Sequence, residues 1–256
     1  MSARVAWISL APVKGLALRQ VDECELTEAG VAGDRLFFLV DETGRLVNSK
    51  GLGAIQQIVP RYDAVLDMLT LTFPDGATVS GEVGLDGTLP ARFWGATVPV
   101  RVVAGPWSEA ISEFAGRALR LVRPPGPAPD RMRGGAATLV GTGSLAALAR
   151  TLGVDGVDGR RFRMNFGIDG LGEHEEDSWL GRRVRLGQAV VVPQGNVGRC
   201  AVTTQNPDTG APDLDTLKAL ADYRRDVEAT EPLPFGVHAA VAHAGRVRVG
   251  DSVELA

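Results

Sequence analysis

Short apolar runs, each closed by turn residues within a few positions, constrain this chain more than any other feature. RVAWISLAPV, LFFLVD, AIQQIV, LTLTF and VPVRVV in the first half each have the length and content of a strand. ETGR, PDG and LDG lie between or near them, and PDG between apolar flanks predicts a hairpin. The 32 glycines and 15 prolines suit such a turn-rich chain better than one of long helices.

Helical periodicity is confined to a few segments. PWSEAISEFAGR places Ile111, Phe114 and Ala115 on one face, with Ser108 as the expected cap. ATLVG reads as a strand and SLAALARTL as a helix capped by Ser144. VRLGQAVVVP reads as a hairpin, and VHAAVAHAGRVRVGDSVEL as strand, glycine turn and strand. APDLDTLKALADYRRD carries the strongest helical pattern, with Leu214, Leu217, Leu220 and Ala221 aligned and Asp213 or Asp215 at its start. No run of βαβ units and no GxGxxG after a strand occurs, which argues against a Rossmann fold. The expectation is an α+β fold, predominantly β, a barrel or sandwich with a few short helices at its ends. Residues 123–135, RPPGPAPDRMRGG, read equally as an interdomain linker or as a loop running past a ligand.

The balance of charge removes some function classes. A net charge of −4 lacks the basic footprint of a nucleic-acid-binding protein. MSARVAWISLAPVKG reaches Pro12 and Lys14 before a long apolar stretch develops, so neither a secretory signal nor a membrane span is expected, and the location expected is cytoplasmic. Cys24 and Cys200 are the only cysteines, and two isolated thiols fit a reducing compartment. His174, His238 and His243 stand at no zinc-binding spacing, and neither GxSxG nor a P-loop occurs. His174 lies in EHEED, read as a solvated loop.

Three segments of the second half differ in character from core. GRRFRMNF, residues 159–166, would as a strand place Arg161, Arg163 and Asn165 on one face, either exposed or facing an anion. In NVGRCAVTTQNPDTG, Arg199 precedes Cys200. Adjacent positive charge favours thiolate, so Cys200 is a candidate nucleophile or soft metal ligand, or else a small buried hydrophobe. EEDSW, residues 175–179, joins an acidic cluster to a structured edge at Trp179.

In order along the chain, RFRMNF, EEDSW, GRCAVTTQNPDTG, LPFG and RVRVGDSVEL resemble the MOSC domain, the family of the C-terminal domain of molybdenum cofactor sulfurase. APVKG and GVAGDRLFFLVDETGRLV, residues 30–47, resemble the β-barrel domain that often precedes it. The resemblance implies an N-terminal MOSC-associated β-barrel domain over residues 1–115 and a MOSC domain with a β-barrel core over residues 120–256. By likeness to the amidoxime-reducing members it further implies that Cys200 binds molybdenum and that Lys14, Arg35, Arg163 and Asn165 hold the pterin of the molybdenum cofactor (molybdopterin). Thr142 and Ser144 would make further cofactor contacts. Arg161 and Arg199 join this cofactor-binding set, and Asp177 and Cys200 are the catalytic candidates. The chain departs from that pattern at Gly15, where those members carry Ser, at Met164, where FRPN becomes FRMN, and near Gly135, where an acidic residue is often found.

The function so implied is an oxidoreductase that reduces small N-hydroxylated compounds by oxygen-atom transfer to molybdenum. No flavin or iron–sulfur motif is present, so a ferredoxin- or flavoprotein-type electron donor would be a separate protein. The alternative is a carrier of the cofactor, or of sulfur as a Cys200 persulfide. A third reading is a MOSC-like scaffold that has lost its cofactor. With no aminotransferase-like domain, pyridoxal phosphate is not expected.

Overall fold

The computed structural model describes residues 2–127 and 135–256. Residues 128–134, most of the proline- and glycine-rich segment, lie outside the described residues. An eight-stranded sheet runs in the order Val253–Leu255, Val184–Leu186, Ala189–Gly198, Pro234–His243, Ala137–Gly141, Phe166–Asp169, Arg4–Leu10 and Arg19–Val21. Its ladders are antiparallel except where Ala137–Gly141 lies parallel to Phe166–Asp169. Helix α2 (Thr142–Leu152) joins that pair, as a parallel connection requires. The regular ladders leave this sheet open rather than closed as a barrel. Gly250 N to Val5 O, Val5 N to Asp251 O and Val253 N to Ala3 O bond across the gap (2.8–2.9 Å).

A second, five-stranded sheet orders Gly84–Phe93, Ala96–Ala104, Arg120–Arg123, Phe38–Val40 and Leu46–Val47. A three-stranded sheet of Val59–Asp63, Met68–Thr72 and Thr78–Glu82 contains the PDG hairpin. Helix α1 (Trp107–Ala115) packs Trp107 and Ile111 into the core of this region with Phe37, Leu39, Leu71 and Leu121. Trp107 is fully buried, and its Nε1 donates to Leu69 O at 3.1 Å, so the indole loses no hydrogen bond on burial. The large sheet has its own core, which includes Ile8, Phe166, Ile168, Val191 and Val237.

The predominantly β reading holds, and several local expectations give way to specific contacts. AIQQIV forms a 3₁₀ turn at Gly53–Gln57 instead of a strand; Ile55 and Ile58, three apart, both turn inward. GRRFRMNF is not a strand either: Gly159–Phe162 is a 3₁₀ turn, and Arg163 follows with φ 53°. Ser108 does not cap α1; its Oγ accepts from Leu121 N at 3.0 Å. Ser144 lies inside α2, three residues beyond the cap position at Gly141, and is wholly buried. Helix α3 spans Thr216–Tyr223 with Asp215, the later of its two expected starts, at the cap position, while Asp213 pairs with Arg161. Gly245–Arg248 pairs with Glu23–Thr27 rather than folding back as a hairpin.

The first and second halves also meet at a buried pair of glutamines. Gln56 Nε2 donates to Gln205 Oε1 (2.8 Å), and Gln205 Nε2 donates to Ser49 O (2.8 Å), both buried. Beside them Gly53 and Gly210 touch backbone to backbone: a Cβ on Gly53 would lie 2.1 Å from Gly210 O. Among the described residues no helix is long and apolar enough to cross a membrane. Gly53→Ala is expected to destabilise the chain by roughly 1–3 kcal/mol through overpacking, measured as a lower urea midpoint with an unchanged slope.

Candidate functional site

The site is organised by the 3₁₀ turn at residues 159–162. Asp158 accepts from Arg160 N (2.8 Å) and so caps it. Gly159 packs against Trp7, whose ring lies 3.0 Å from where a Cβ would stand. The left-handed Arg163 then ends the turn, sending Arg161 and Arg163 in different directions instead of onto one strand face. Arg161 forks onto Asp213 (2.6 and 2.9 Å) and also donates to Gln205 O (2.9 Å), while its buried Nε has no partner. Arg163 Nη2 donates to Leu16 O (2.7 Å), and Arg163 O accepts from Arg35 Nη2 (3.0 Å).

Arg35, also left-handed (φ 52°), pairs through Nη1 with Asp34 Oδ2 at 2.9 Å. The Asp34 carboxylate is buried and also accepts from Ala11 N (2.7 Å) and Asn165 Nδ2 (3.0 Å). Asn165 is thus spent on internal bonds, its amide oxygen accepting from Thr138 Oγ1 (3.0 Å).

Between these arginines and the loop after Gly198 lies a cavity of about 360 Å³. Among the described residues six cations line it, Lys14, Arg35, Lys50, Arg161, Arg163 and Arg199, and no acidic residue does. Cys200 is exposed on the same wall, at the residue that starts the 3₁₀ turn Ala201–Thr204. Its carbonyl is fixed by Thr203 N and Thr203 Oγ1 (3.0 and 3.1 Å). Arg199 does not aim its donors into the cavity. It donates to Phe162 O (2.9 Å), Phe235 O and Met164 Sδ (2.9 Å), and its guanidinium lies over the Phe162 ring. Burial pushes its pKa down to about 9, the Cys200 and Glu176 charges opposing, so it stays cationic at neutral pH.

Such a wall has the charge to suit an anion and carries a thiol. Preorganised positive charge focuses the local field, although the whole chain is negative and Arg35 and Arg161 are paired with Asp34 and Asp213. Among the described residues no three His, Cys, Asp or Glu come together as a metal cage. A metal held by Cys200 would therefore have to arrive already chelated by an anionic ligand. The donor set fits the molybdenum cofactor in that sense: one soft thiolate ligand and several phosphate-binding cations. Gly15 has φ 92° and backs onto Asn48 and Ser49, where a Cβ would come within 3.1 Å of Asn48 Cα. A serine would be crowded and strained here.

The structure thus brings Lys14, Arg35, Arg161, Arg163, Arg199 and Cys200 to one cavity. Asn165 supports that wall from behind. The remaining candidates stand elsewhere. Thr142 Oγ1 donates to Asp169 (2.9 Å), and Ser144 Oγ donates to both oxygens of the buried Glu176 (2.8 and 2.9 Å). Asp177 accepts from Asn196 Nδ2 (2.8 Å) and pairs with Arg224. EHEED is also less solvated than expected, since Glu176 is fully buried and burial raises its pKa. Sequence reasoning missed Asp34, Asn48, Ser49, Lys50, Trp94 and Thr203. Asp34 had a visible signal in GDR; Trp94 had none.

An open β architecture carrying a cationic, thiol-lined cavity defines the class of protein. Residues 132–254 match the MOSC domain and residues 2–115 the MOSC N-terminal beta barrel domain, so the chain belongs to the MOSC family. It is 35% identical over 105 residues to mouse (Mus musculus) mitochondrial amidoxime-reducing component 1, covering 39% of this chain and 30% of that protein. It is 38% identical over 99 residues to human (Homo sapiens) mitochondrial amidoxime reducing component 2, covering 36% and 29%. Against molybdenum cofactor sulfurase 2 of Aedes aegypti it is 26% identical over 228 residues, covering 86% of this chain and 28% of that protein. These alignments span less than a third of each relative's length. The YUAD protein of Bacillus subtilis superposes with a TM-score of 0.47 at 12% identity, over 99% of this chain and 94% of that one.

Two outcomes follow from the buried groups. Asp34→Ala leaves Arg35 and Asn165 without their shared acceptor and is expected to cost about 3 kcal/mol in chemical denaturation. His174 has its pKa lowered to about 4, first by burial and then by Arg224. The unfolded chain binds that proton at higher pH, so the stability it contributes is complete above about 6.5 and lost as pH falls towards 4. His174→Gln should flatten that part of the curve of melting temperature against pH.

Proposed function

We propose that this chain binds the molybdenum cofactor in the cationic cavity, with the Cys200 thiolate as the protein's ligand to the metal. We further propose that it is an oxidoreductase acting on small N-hydroxylated compounds. The observation that carries this reading is the cavity wall itself: among the described residues, six cations and one exposed thiol, with no carboxylate. The names of its relatives, amidoxime-reducing components and molybdenum cofactor sulfurase, support the same chemistry.

In this reading Lys14, Lys50, Arg35 and Arg163 bind and orient the anionic part of the ligand, and Arg161 braces the loop that presents Cys200. Phe162 and Trp94 exclude water from one side of the cavity. The cofactor, when bound, supplies two-electron oxygen-atom transfer. Reducing equivalents would come from a separate ferredoxin- or flavoprotein-type donor.

A second reading is favoured by the exposure of Cys200: a thiol open to a protein partner can also pass sulfane sulfur or the cofactor itself.

Elemental analysis of protein from a cofactor-making host distinguishes these. Near-stoichiometric molybdenum that falls at least tenfold in Cys200→Ser supports coordination. Retained molybdenum with lost sulfur transfer in the variant supports the carrier. No molybdenum in the wild-type chain removes the oxidoreductase reading.

A further inference from the structure

Trp94 belongs to a surface that the cavity alone does not explain. It is 69% exposed, and no other aromatic side chain among the described residues is exposed. Its mounting is rigid. Phe93 before it is buried, meets the Phe38 ring edge-on at 5.2 Å, and pairs with Ala96 to close the two-residue turn Trp94–Gly95. Trp94 takes a left-handed φ of 52° at the first position of that turn. A large ring is thus fixed in water at the rim of the cavity that exposes Cys200.

Cations stand around it. Lys14 Nζ is 5.1 Å from its ring centroid, Lys50 is exposed on the same cavity wall, and Arg92 lies two residues before it on the strand. Arg45 runs beside Arg92 in a parallel bridge, where Arg92 N donates to Gly44 O at 2.7 Å. That approach needs Gly44, since a Cβ there would lie 2.6 Å from Pro90 O.

Arg45 and Arg92 are both exposed, and neither guanidinium has a carboxylate partner among the described residues. Arg92 Nη2 reaches only Thr43, its carbonyl at 3.4 Å and its hydroxyl at 3.3 Å. Of the two acids in the adjoining turn, Asp41 accepts from Thr43 and from Arg45 N, and Glu42 makes no ion pair with a described residue. Like charges set side by side on neighbouring strands cost stability. Nothing in the fold offsets that cost, so the pair points outward to something negative.

We propose that Trp94, Arg45, Arg92 and Lys50 form a docking surface for the acidic face of a second protein, seated over the rim of the cavity. Trp94 is the anchor buried on docking, and the cations around it bond carboxylates of the partner. Complementary charge selects that partner and speeds its approach. A protein face suits this surface better than a nucleic-acid strand. A strand is held by a basic track with several stacking rings, and here one ring and one short rim lie on a chain of net charge −4. The proposal does not rest on what the cavity holds.

The test titrates the full chain with a plant-type [2Fe–2S] ferredoxin, a small acidic protein, by calorimetry at low salt. Saturable binding is expected, weakened about tenfold in Trp94→Ala and in Arg45→Glu and weakened again as salt is raised. Arg45→Glu places a carboxylate beside Arg92, so it should melt no lower than wild type while it loses the partner. The same charge change at the distant, exposed Arg185, as Arg185→Glu, should leave affinity within about twofold. No saturable binding by wild type, equal affinity in wild type and both surface variants, or an equal loss in Arg185→Glu overturns the proposal. So does tighter binding of an oligo-dT strand than of the ferredoxin, which would make this a nucleic-acid surface. Salt-sensitive self-association lost in Arg45→Glu would seat a second copy there and overturn it too.

Discussion

One buried carboxylate, that of Asp34, holds the site's geometry together. It accepts from Ala11 N, which follows the first strand, from Arg35 beside it, and from Asn165 more than a hundred residues away. In a low-dielectric interior such a charge is tolerable only when its acceptor positions are filled, and here donors from three segments fill them. Once Arg35 is fixed by Asp34, its other arm reaches Arg163 O, and Arg163 in turn reaches Leu16 O. The cavity wall is thus assembled from both halves of the chain and cannot form from either alone.

Much of the fold could be read from alternating apolar runs. The hairpin around PDG, the strand ATLVG with the helix after it, and the VRLGQAVVVP hairpin all follow local chemistry. Failures occur where a long-range contact outweighs local preference. GRRFRMNF has the alternation of a strand, but Asp158 caps a turn at its start and Asp213 pulls Arg161 aside. The helix read from APDLDTLKALADYRRD begins after Asp215, the later of its two expected starts, and Asp213 stays outside it. Gly245–Arg248 has a glycine turn before it, yet pairs with a strand more than two hundred residues earlier.

The site was legible to a different depth. Arg161, Arg163, Arg199 and Cys200 stand out by residue type and position, Lys14 and Arg35 only through the resemblance to the MOSC family, and Lys50 by neither. What could not be read is how each arginine is spent. Arg161 and Arg199 look equivalent to Arg163 in sequence, but Arg161 is committed to Asp213 and Arg199 to three acceptors of neighbouring segments. Thr142 and Ser144 likewise have suitable hydroxyls, but burial directs Ser144 to Glu176. Trp94 belongs to the site only because a tight turn at the tip of a strand pair holds it there.

The cluster of cations on the cavity wall has a practical consequence. Coulombic attraction of this kind weakens as dissolved salt shortens its range, to about 8 Å near physiological ionic strength and about 3 Å at 1 M. A sulfur–metal bond has no such sensitivity. Ionic strength is therefore a dial that acts on one half of the grip and not the other. In the proposed complex, the salt in the buffer during purification would govern how firmly an anion is kept in the cavity.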